Sequence, residues 1–298
     1  MRAVVLRAAG GPEQLVLEEI TTPAPGPDEA LVRVHAAALT RDELEWPVDR
    51  LPAIPSYELS GVVAELGAGV DRLAVGDHVY GMTAFDRDGV AADYAAINAE
   101  LLAPKPRGLS HPEAAAVPLA ALSAWQGLFE HGGLAAGERV LIHGATGGVG
   151  QFATPLASRH GAHVTATTSA RDVERARELG ADVVIDRTAR SWDASLEPFD
   201  LVFDTTGGER LHSSPGVLRD GGRLVSVAEE PPHASGIRSV YFVVEPNRRQ
   251  LAQLSGLLDD GLPPPAVDSL FTLEDAARAF ERSMAPDKHG KVVLEVTR

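Results

Sequence analysis

The 298-residue chain has no cysteine. Disulfide scaffolds, thiolate metal sites and a cysteine nucleophile are therefore excluded. Positive charge is scarce: 27 basic residues face 42 acidic ones, a formal net charge of −15. Such a surface repels phosphate backbones and anionic lipid, which argues against nucleic acid and membrane surfaces as partners. Only Lys105, Lys288 and Lys291 are lysine, and the arginine excess reads as coding bias rather than mechanism. No hydrophobic run is long enough to span a bilayer; the least polar stretch, Ala114 to Trp125, is short and contains Pro118. Arg7 interrupts what would be the apolar centre of a signal peptide. The expectation is a soluble protein of the cytoplasm.

Several catalytic signatures are missing as well. A Tyr-x-x-x-Lys pair fails at all four tyrosines: Tyr57, Tyr80, Tyr94 and Tyr241 are followed four residues on by Gly61, Ala84, Asn98 and Glu245. There is no G-x-S-x-G elbow, no H-E-x-x-H and no P-loop lysine motif. The histidines are scattered, and the close pair His160 and His163 reads as structural.

What is present is a globular balance, 44% hydrophobic and 23% charged, at a length that suits two domains or one large one. Residues 1–107 read as short β-rich runs: Arg2–Leu6, Leu15–Glu19, Ala30–Ala38, Gly61–Leu66, His78–Met82 and Ala92–Ile97. Gly, Pro and Asp clusters separate them, which suggests a small antiparallel barrel or sandwich. Ser110 and Glu113 form an S-x-x-E capping box that opens an alanine-rich helical stretch to about His131. From Arg139 strands alternate with helices. The strands are Val140–His143, His163–Thr167, Val183–Asp186, Leu201–Asp204, Arg223–Val227 and Tyr241–Val244. Helices are expected near 149–159, 170–179, 208–219 and 247–260. That alternation means a parallel sheet covered on both faces. Beyond the run Pro263–Pro265 come a strand (Ala266–Leu270), a helix capped by Thr272 with Asp275 three residues on, and a last strand (Lys291–Val296).

The strongest motif is His143 to Gly150, HGATGGVG. It follows the strand VLI and opens a helix, as a dinucleotide fingerprint does, with Ala145 at the first glycine position before Gly147 and Gly150. Glycines let backbone approach a pyrophosphate, and a helix N-terminus offers unpaired N–H groups and a positive dipole end. Thr146, Gly148 and Val149 complete the loop. At the end of the second strand an NAD site usually carries an acid. Here Thr168, Ser169 and Arg171 stand instead, a hydroxyl and a guanidinium that suit a 2′-phosphate. NADPH is therefore favoured over NADH, although Ser169 and Asp172 also read as an S-x-x-D helix cap. Arg187, after the third strand, is a second candidate near the adenosine end.

The β-rich first part, the mid-chain dinucleotide fold and the C-terminal return resemble the medium-chain dehydrogenase/reductase superfamily, and within it the zinc-independent quinone oxidoreductase branch. The motifs that carry the likeness run the length of the chain. They are Ile54 to Gly61 (IPSYELSG), Gly76 to Gly81 (GDHVYG), Leu122 to Trp125 (LSAW) and Gly137 to Gly150 (GERVLIHGATGGVG). Four more follow: Glu178 to Asp182 (ELGAD), Phe203 to Gly208 (FDTTGG), Gly221 to Val225 (GGRLV) and His289 to Leu294 (HGKVVL). The resemblance implies an α/β chain in three stretches. These are a GroES-like catalytic domain at 1–117, a Rossmann-type doubly wound parallel sheet at 118–262, and a return to the catalytic domain at 263–298. Substrate is then expected beyond the carboxyl ends of the parallel strands, between the domains.

Zinc-dependent members of that superfamily use a Cys, a His-Glu pair and a further Cys. The matching positions here are Thr40, Tyr57 before Glu58, and Leu119, a set that cannot hold zinc. What remains is hydride transfer from NADPH to a quinone or an activated alkene, with charge building on oxygen. The motif matches put Thr40, Tyr57 and Ser123 near the nicotinamide, with Tyr57 as a donor to the oxyanion. Asp42 falls at a proton-relay position, where a carboxyl of raised pKa could act. Arg41 and Lys291 match basic positions near the pyrophosphate, and Thr205, Val227 and Phe242 line the cofactor. An enoyl reductase of a specialised-metabolite intermediate, or an NADPH-binding protein without turnover, are the alternatives. The apolar strand Tyr241–Val244 is expected to close the parallel sheet, buried on both faces, and to pair with its two-fold mate in a homodimer through residues 238–246.

Overall fold

The computed structural model describes residues 1–46, 49–187 and 197–297. The backbone divides into two units. One is built from both chain ends, Met1–Leu119 with Pro246–Arg298; the other is Ala120–Glu245.

In the first unit β1 (Arg2–Leu6) and β2 (Leu15–Glu19) form an antiparallel hairpin. Then come β3 (Glu29–Leu39), β4 (Glu58–Leu66), β5 (His78–Met82), β6 (Tyr94–Asn98) and β7 (Leu102–Pro104). The short helix α1 (His111–Ala115) follows. In chain order the second unit holds most of α2 (Pro118–Trp125), then β8 (Arg139–His143), α3 (Gly150–Arg159), β9 (His163–Thr168), α4 (Val173–Glu178) and β10 (Val183–Asp186). It continues through β11 (Phe199–Asp204), α5 (Glu209–Ser213), β12 (Leu218–Ser226) and β13 (Arg238–Tyr241). The chain then returns to the first unit with α6 (Arg248–Asp259), β14 (Val267–Phe271), α7 (Ala276–Met284) and β15 (Lys291–Glu295).

The first unit's large sheet has the order β14-β15-β3-β4-β5-β7, with β6 also on β3. β3 is its spine: eleven residues pairing antiparallel with β4, β6 and β15. Val32, Val34, Leu59, Val79, Ile97, Phe280 and Leu294 belong to one buried core. The sheet is mixed rather than purely antiparallel, because β14 pairs parallel with β15. β7 is a strand that the sequence pattern hid; it is three residues long and ends at Pro104.

The second unit's sheet runs β10-β9-β8-β11-β12-β13, all parallel. Its central strands carry Val140, Leu141, Ile142, Val202 and Phe203, all fully buried, as a sheet covered on both faces requires.

The expected helix from Ser110 to His131 is three pieces. Both halves of the Ser110–Glu113 capping box form: the Ser110 amide donates to Glu113 Oε2 at 2.8 Å and the Glu113 amide to Ser110 Oγ at 3.4 Å. The helix stops before Pro118, which disfavours helical backbone at the residue ahead of it and cannot donate. α2 then restarts and widens into a π turn at Gln126–His131. Two other expected caps fail. Ser169 donates to the Asp172 carboxylate, and the Thr272 side chain makes no cap bond to the backbone.

The last parallel strand is Arg238–Tyr241, earlier than the expected Tyr241–Val244, and it is not buried on both faces. Tyr241 and Val243 are 41% and 58% exposed, whereas Phe242 and Val244 are buried. The units divide at 245/246 rather than 262/263, because α6 packs on the first unit. Tyr80 Oη donates to Leu251 O at 2.7 Å, and Ser255 Oγ to Pro104 O at 2.9 Å. Among the described residues no helix is long and apolar enough to cross a membrane.

Candidate active site

The first unit gathers its functional side chains at three adjacent strand ends. β3 ends at Leu39, β4 begins at Glu58 and β15 begins at Lys291, and the register sets Ala38 opposite Glu58 and Leu39 opposite Val292. Thr40, Glu58 and Lys291 therefore meet. Lys291 is ion-paired with Glu58 Oε1 and donates to Thr40 Oγ1 at 2.9 Å. The Leu119 amide donates to Glu58 Oε2 at 2.9 Å. Ser56, at φ 66°, turns the chain into β4 and donates to Ala38 O at 2.9 Å.

The buried acid beside this pair is Glu43, not Asp42. A 3-10 turn at Glu43–Glu45 points Glu43 inward and leaves Asp42 exposed. Glu43 Oε2 accepts the Thr40 amide at 3.0 Å, and Oε1 is buried with no hydrogen-bond partner. Burial pushes this carboxyl up to about 8, against the pull of the Thr40 amide and Lys291. Nothing in the sequence separates Asp42 from Glu43; the turn does.

Tyr57 is fully buried, with Trp46 and Phe85 against its ring. Burial raises its phenol, and the Arg50 guanidinium opposes the rise. Arg41 is exposed and donates to Met284 O at 3.1 Å. Lys291 is only 4% exposed, and Glu58 and Thr40 take two of its three ammonium donors.

These residues do not fit a zinc ion. Thr40, Tyr57 and Leu119 offer neither imidazole nor thiolate, and Glu58 is committed to Lys291 and the Leu119 amide. Among the described residues no three His, Asp or Glu side chains gather as a metal site.

In the second unit the glycine loop joins β8 to α3. Gly144 has φ 75°, and a side chain there would strike Thr205 and Thr206. A Cβ on Gly150 would meet the Gly144 carbonyl, so the loop lies tight against the start of α3. Ala145 is buried, its amide donating to Thr167 O at 3.1 Å. Thr146 shares a 2.6 Å hydroxyl bond with Thr168. Gly147 and Gly148 present no side chain, and Val149 is the N-cap residue of α3. This cradle fits a dinucleotide pyrophosphate.

His143 braces the loop from below. It is fully buried, and burial holds its imidazole down to about 3, so it is neutral. Ser214 Oγ donates to Arg210 O at 2.6 Å, so His143 Nε2–H donates to Ser214 at 3.0 Å and Nδ1 accepts from Thr167 at 3.0 Å. Thr205 donates to His143 O at 2.7 Å, Val227 donates to Asp204 O, and Phe242 stacks on His131 at 4.3 Å. All three residues follow the carboxyl ends of β11, β12 and β13.

At the end of β9 the proposed phosphate readers share an acid. Ser169 donates to Asp172, and Arg171 Nε lies 3.6 Å from the same carboxylate. Arg187 is exposed, its amide on Thr168 O at 2.7 Å. Ser123 is buried on α2, in the second unit, apart in the chain's division from Thr40 and Tyr57.

Comparison with known proteins agrees with this geometry. The family described as "Alcohol dehydrogenase GroES-like domain" matches residues 26–107, and "Zinc-binding dehydrogenase" matches residues 179–294. A 2-methylene-furan-3-one reductase of Solanum lycopersicum is 34% identical over 96% of this chain and 76% of its own. An NADPH-dependent alkenal/one oxidoreductase of Arabidopsis thaliana is 33% identical over 99% and 79%. The solved quinone oxidoreductase of Coxiella burnetii superposes with TM-score 0.90 at 29% identity, covering 100% and 99% of the two chains.

Proposed function

The chain belongs to the medium-chain dehydrogenase/reductase superfamily, in its quinone oxidoreductase-like branch, and from that premise we propose that it uses NADPH to reduce a quinone or an α,β-unsaturated carbonyl compound without zinc. The observation that carries this reading is the Lys291–Glu58–Thr40 centre, in which two positions that the resemblance assigns to zinc ligands are tied to a lysine ammonium instead. Without a Lewis acid, a conjugated acceptor is the apt substrate, because conjugation already delivers the charge of the added hydride to oxygen. NADPH, when bound, supplies that hydride. The glycine loop at 144–150 holds its pyrophosphate, Tyr57 donates towards the substrate oxygen, and water supplies the last proton. Steady-state NADPH oxidation with a panel of quinones and enones tests the reading. Turnover of one class or both is expected; nucleotide binding without turnover of either would overturn it and leave a binding protein.

Asp172 favours a second reading of the cofactor. Its carboxylate already holds Ser169 and Arg171, as an acid reading ribose hydroxyls of NADH would. A lower dissociation constant for NADH than for NADPH would establish that reading. A homodimer is proposed at the β13 edge, where Tyr241 and Val243 expose apolar surface. Light scattering that gave a species near the chain mass of 31.4 kDa would remove it. The cytoplasm is the proposed location.

A further inference from the structure

A cavity of about 210 Å³ opens within the first unit, between the loop that leads into β5, the strand β7 and the start of α6. Val79 and Leu102 are its floor; both are 1% exposed and belong to the unit's buried core. Leu73 and Pro104 add apolar wall. A cavity of about 150 Å³ is large enough to hold benzene, so this one takes a body of about one ring.

The rim is polar: Arg72, Asp77, His78 and Arg248. Three of the four are engaged. Asp77 Oδ2 accepts the Ala74 amide at 2.8 Å within its own turn, and His78 Nδ1 shares a 3.1 Å bond with His111 Nε2. Arg72 is ion-paired with Glu100. Arg248 differs. Its Nε is buried with no hydrogen-bond partner. Among the described residues its one ion-pair partner is the same Glu100, whose Oε2 lies 3.9 Å from that Nε, beyond hydrogen-bond reach. A buried donor left unpaired is rare and calls for a cause. A carboxylate that meets a guanidinium through two parallel N–H···O bonds supplies one.

We propose that this cavity is a binding site for a small monocarboxylate with a compact apolar body, benzoate in size, whose ring lies on Val79 and Leu102 and whose carboxylate takes Arg248 Nε–H and a neighbouring Nη–H. The site stands apart from the reduction proposed above, since no residue of its lining belongs to the glycine loop or to the Lys291–Glu58–Thr40 centre. Apolar contact alone would accept the neutral amide as well, and charge alone would accept phosphate. One charge on a ring-sized body satisfies both walls and rim. Asp77 on the rim and Glu100 beside Arg248 repel a second negative charge. Glu100 competes with the ligand for Arg248, and when the ligand binds, Glu100 is left to Arg72.

The test is an NMR titration of the full chain, without nucleotide, with benzoate, benzamide and inorganic phosphate. Benzoate should bind at least about tenfold more tightly than either of the others. Arg248→Gln should weaken benzoate about tenfold and leave benzamide within about twofold. Glu100→Gln changes a half-exposed side chain and removes the competitor, so it should tighten benzoate about threefold. That gain cannot come from a damaged fold. The site would be overturned by benzoate that fails to bind below about 10 mM, or by benzamide or phosphate that binds as tightly. Benzoate affinity that ignores Arg248→Gln in the folded variant, or fails to rise in Glu100→Gln, would overturn it equally.

Discussion

At the strand ends of the first unit the buried polar groups are charged or chargeable: Lys291, Glu58 and Glu43 lie within one another's reach, at 5% exposure or less. At the strand ends of the second they are chiefly hydroxyls around a neutral imidazole, Thr167, Ser214 and Thr205 about His143. Both sets brace a site, by different physics. A buried charge needs its partner, because desolvation costs several kcal/mol per ion. A hydroxyl network loses only about 1 kcal/mol per net bond and ignores pH near neutrality. The first unit's centre thus rests on a charge pair, whereas hydroxyls brace the loop of the second beside the buried Asp204 carboxyl at the end of β11, whose pKa burial raises.

The largest effect expected is on the ion pair. Lys291→Met should destabilise the protein by about 3–5 kcal/mol in denaturant unfolding, since it strands the Glu58 carboxylate. Adding Glu58→Gln should recover much of that loss. A double variant as unstable as the single one would mean that Lys291 matters for packing alone.

Glu43 comes next. Its proton is held to about 8 in the fold but leaves near 4.5 when unfolded. The native state binds more protons across that window, so stability should fall as pH rises from about 4.5 to about 8, by up to about 1.4 kcal/mol per unit. Glu43→Gln should flatten this alkaline limb. The acid limb should survive the substitution. Burial holds His143 down to about 3 and His111 to about 4. Below about 6.5 the unfolded chain therefore takes up protons that the fold refuses, and stability falls as pH falls. Melting curves from pH 4 to 9 read both limbs, and an alkaline limb unchanged in Glu43→Gln would break the contrast between the units.

In the second unit the sharpest test is Arg171→Ala. A lost charge-assisted phosphate contact costs about 1.5–3 kcal/mol, so NADPH should weaken roughly 10- to 100-fold with NADH nearly unchanged. Equal loss for both nucleotides would make Arg171 a partner of Asp172 alone. The smallest effect expected is none: chelator treatment should leave melting temperature and NADPH oxidation intact. Stoichiometric zinc with loss of activity on chelation would displace the Lys291–Glu58 centre from this account.

Much of this was legible in the residues. The strand–glycine loop–helix sequence around Gly144 to Gly150 is read from its glycines, and close approach admits no side chain at Gly144 or Gly150. The alternation from Arg139 onward yields the parallel sheet through period and spacing. Side-chain partnership was less legible. Ser169 and Arg171 read as a phosphate site and Ser169 with Asp172 as a helix cap, yet the Asp172 carboxylate holds both Ser169 and Arg171. Asp42 and Glu43 are neighbours of one chemistry, and only a 3-10 turn decides which is buried. Trp46, Arg50 and Phe85 lie in loops without periodicity, where pattern carries no contact information.

The first unit's assembly from both chain ends bears on the order in which the molecule is made. β15 lies between β14 and β3, inside the sheet, yet it follows both β3 and the whole second unit in the chain. Residues 120–245 are complete while β3 has β4 and β6 but still lacks β15, and Glu58 still lacks Lys291. The insert can therefore fold during translation before its host has received β15. A nascent chain stalled just before β15, with residues 120–245 clear of the ribosome, should protect the parallel sheet from protease and leave the β15 side of β3 open to pairing with chaperone or with itself.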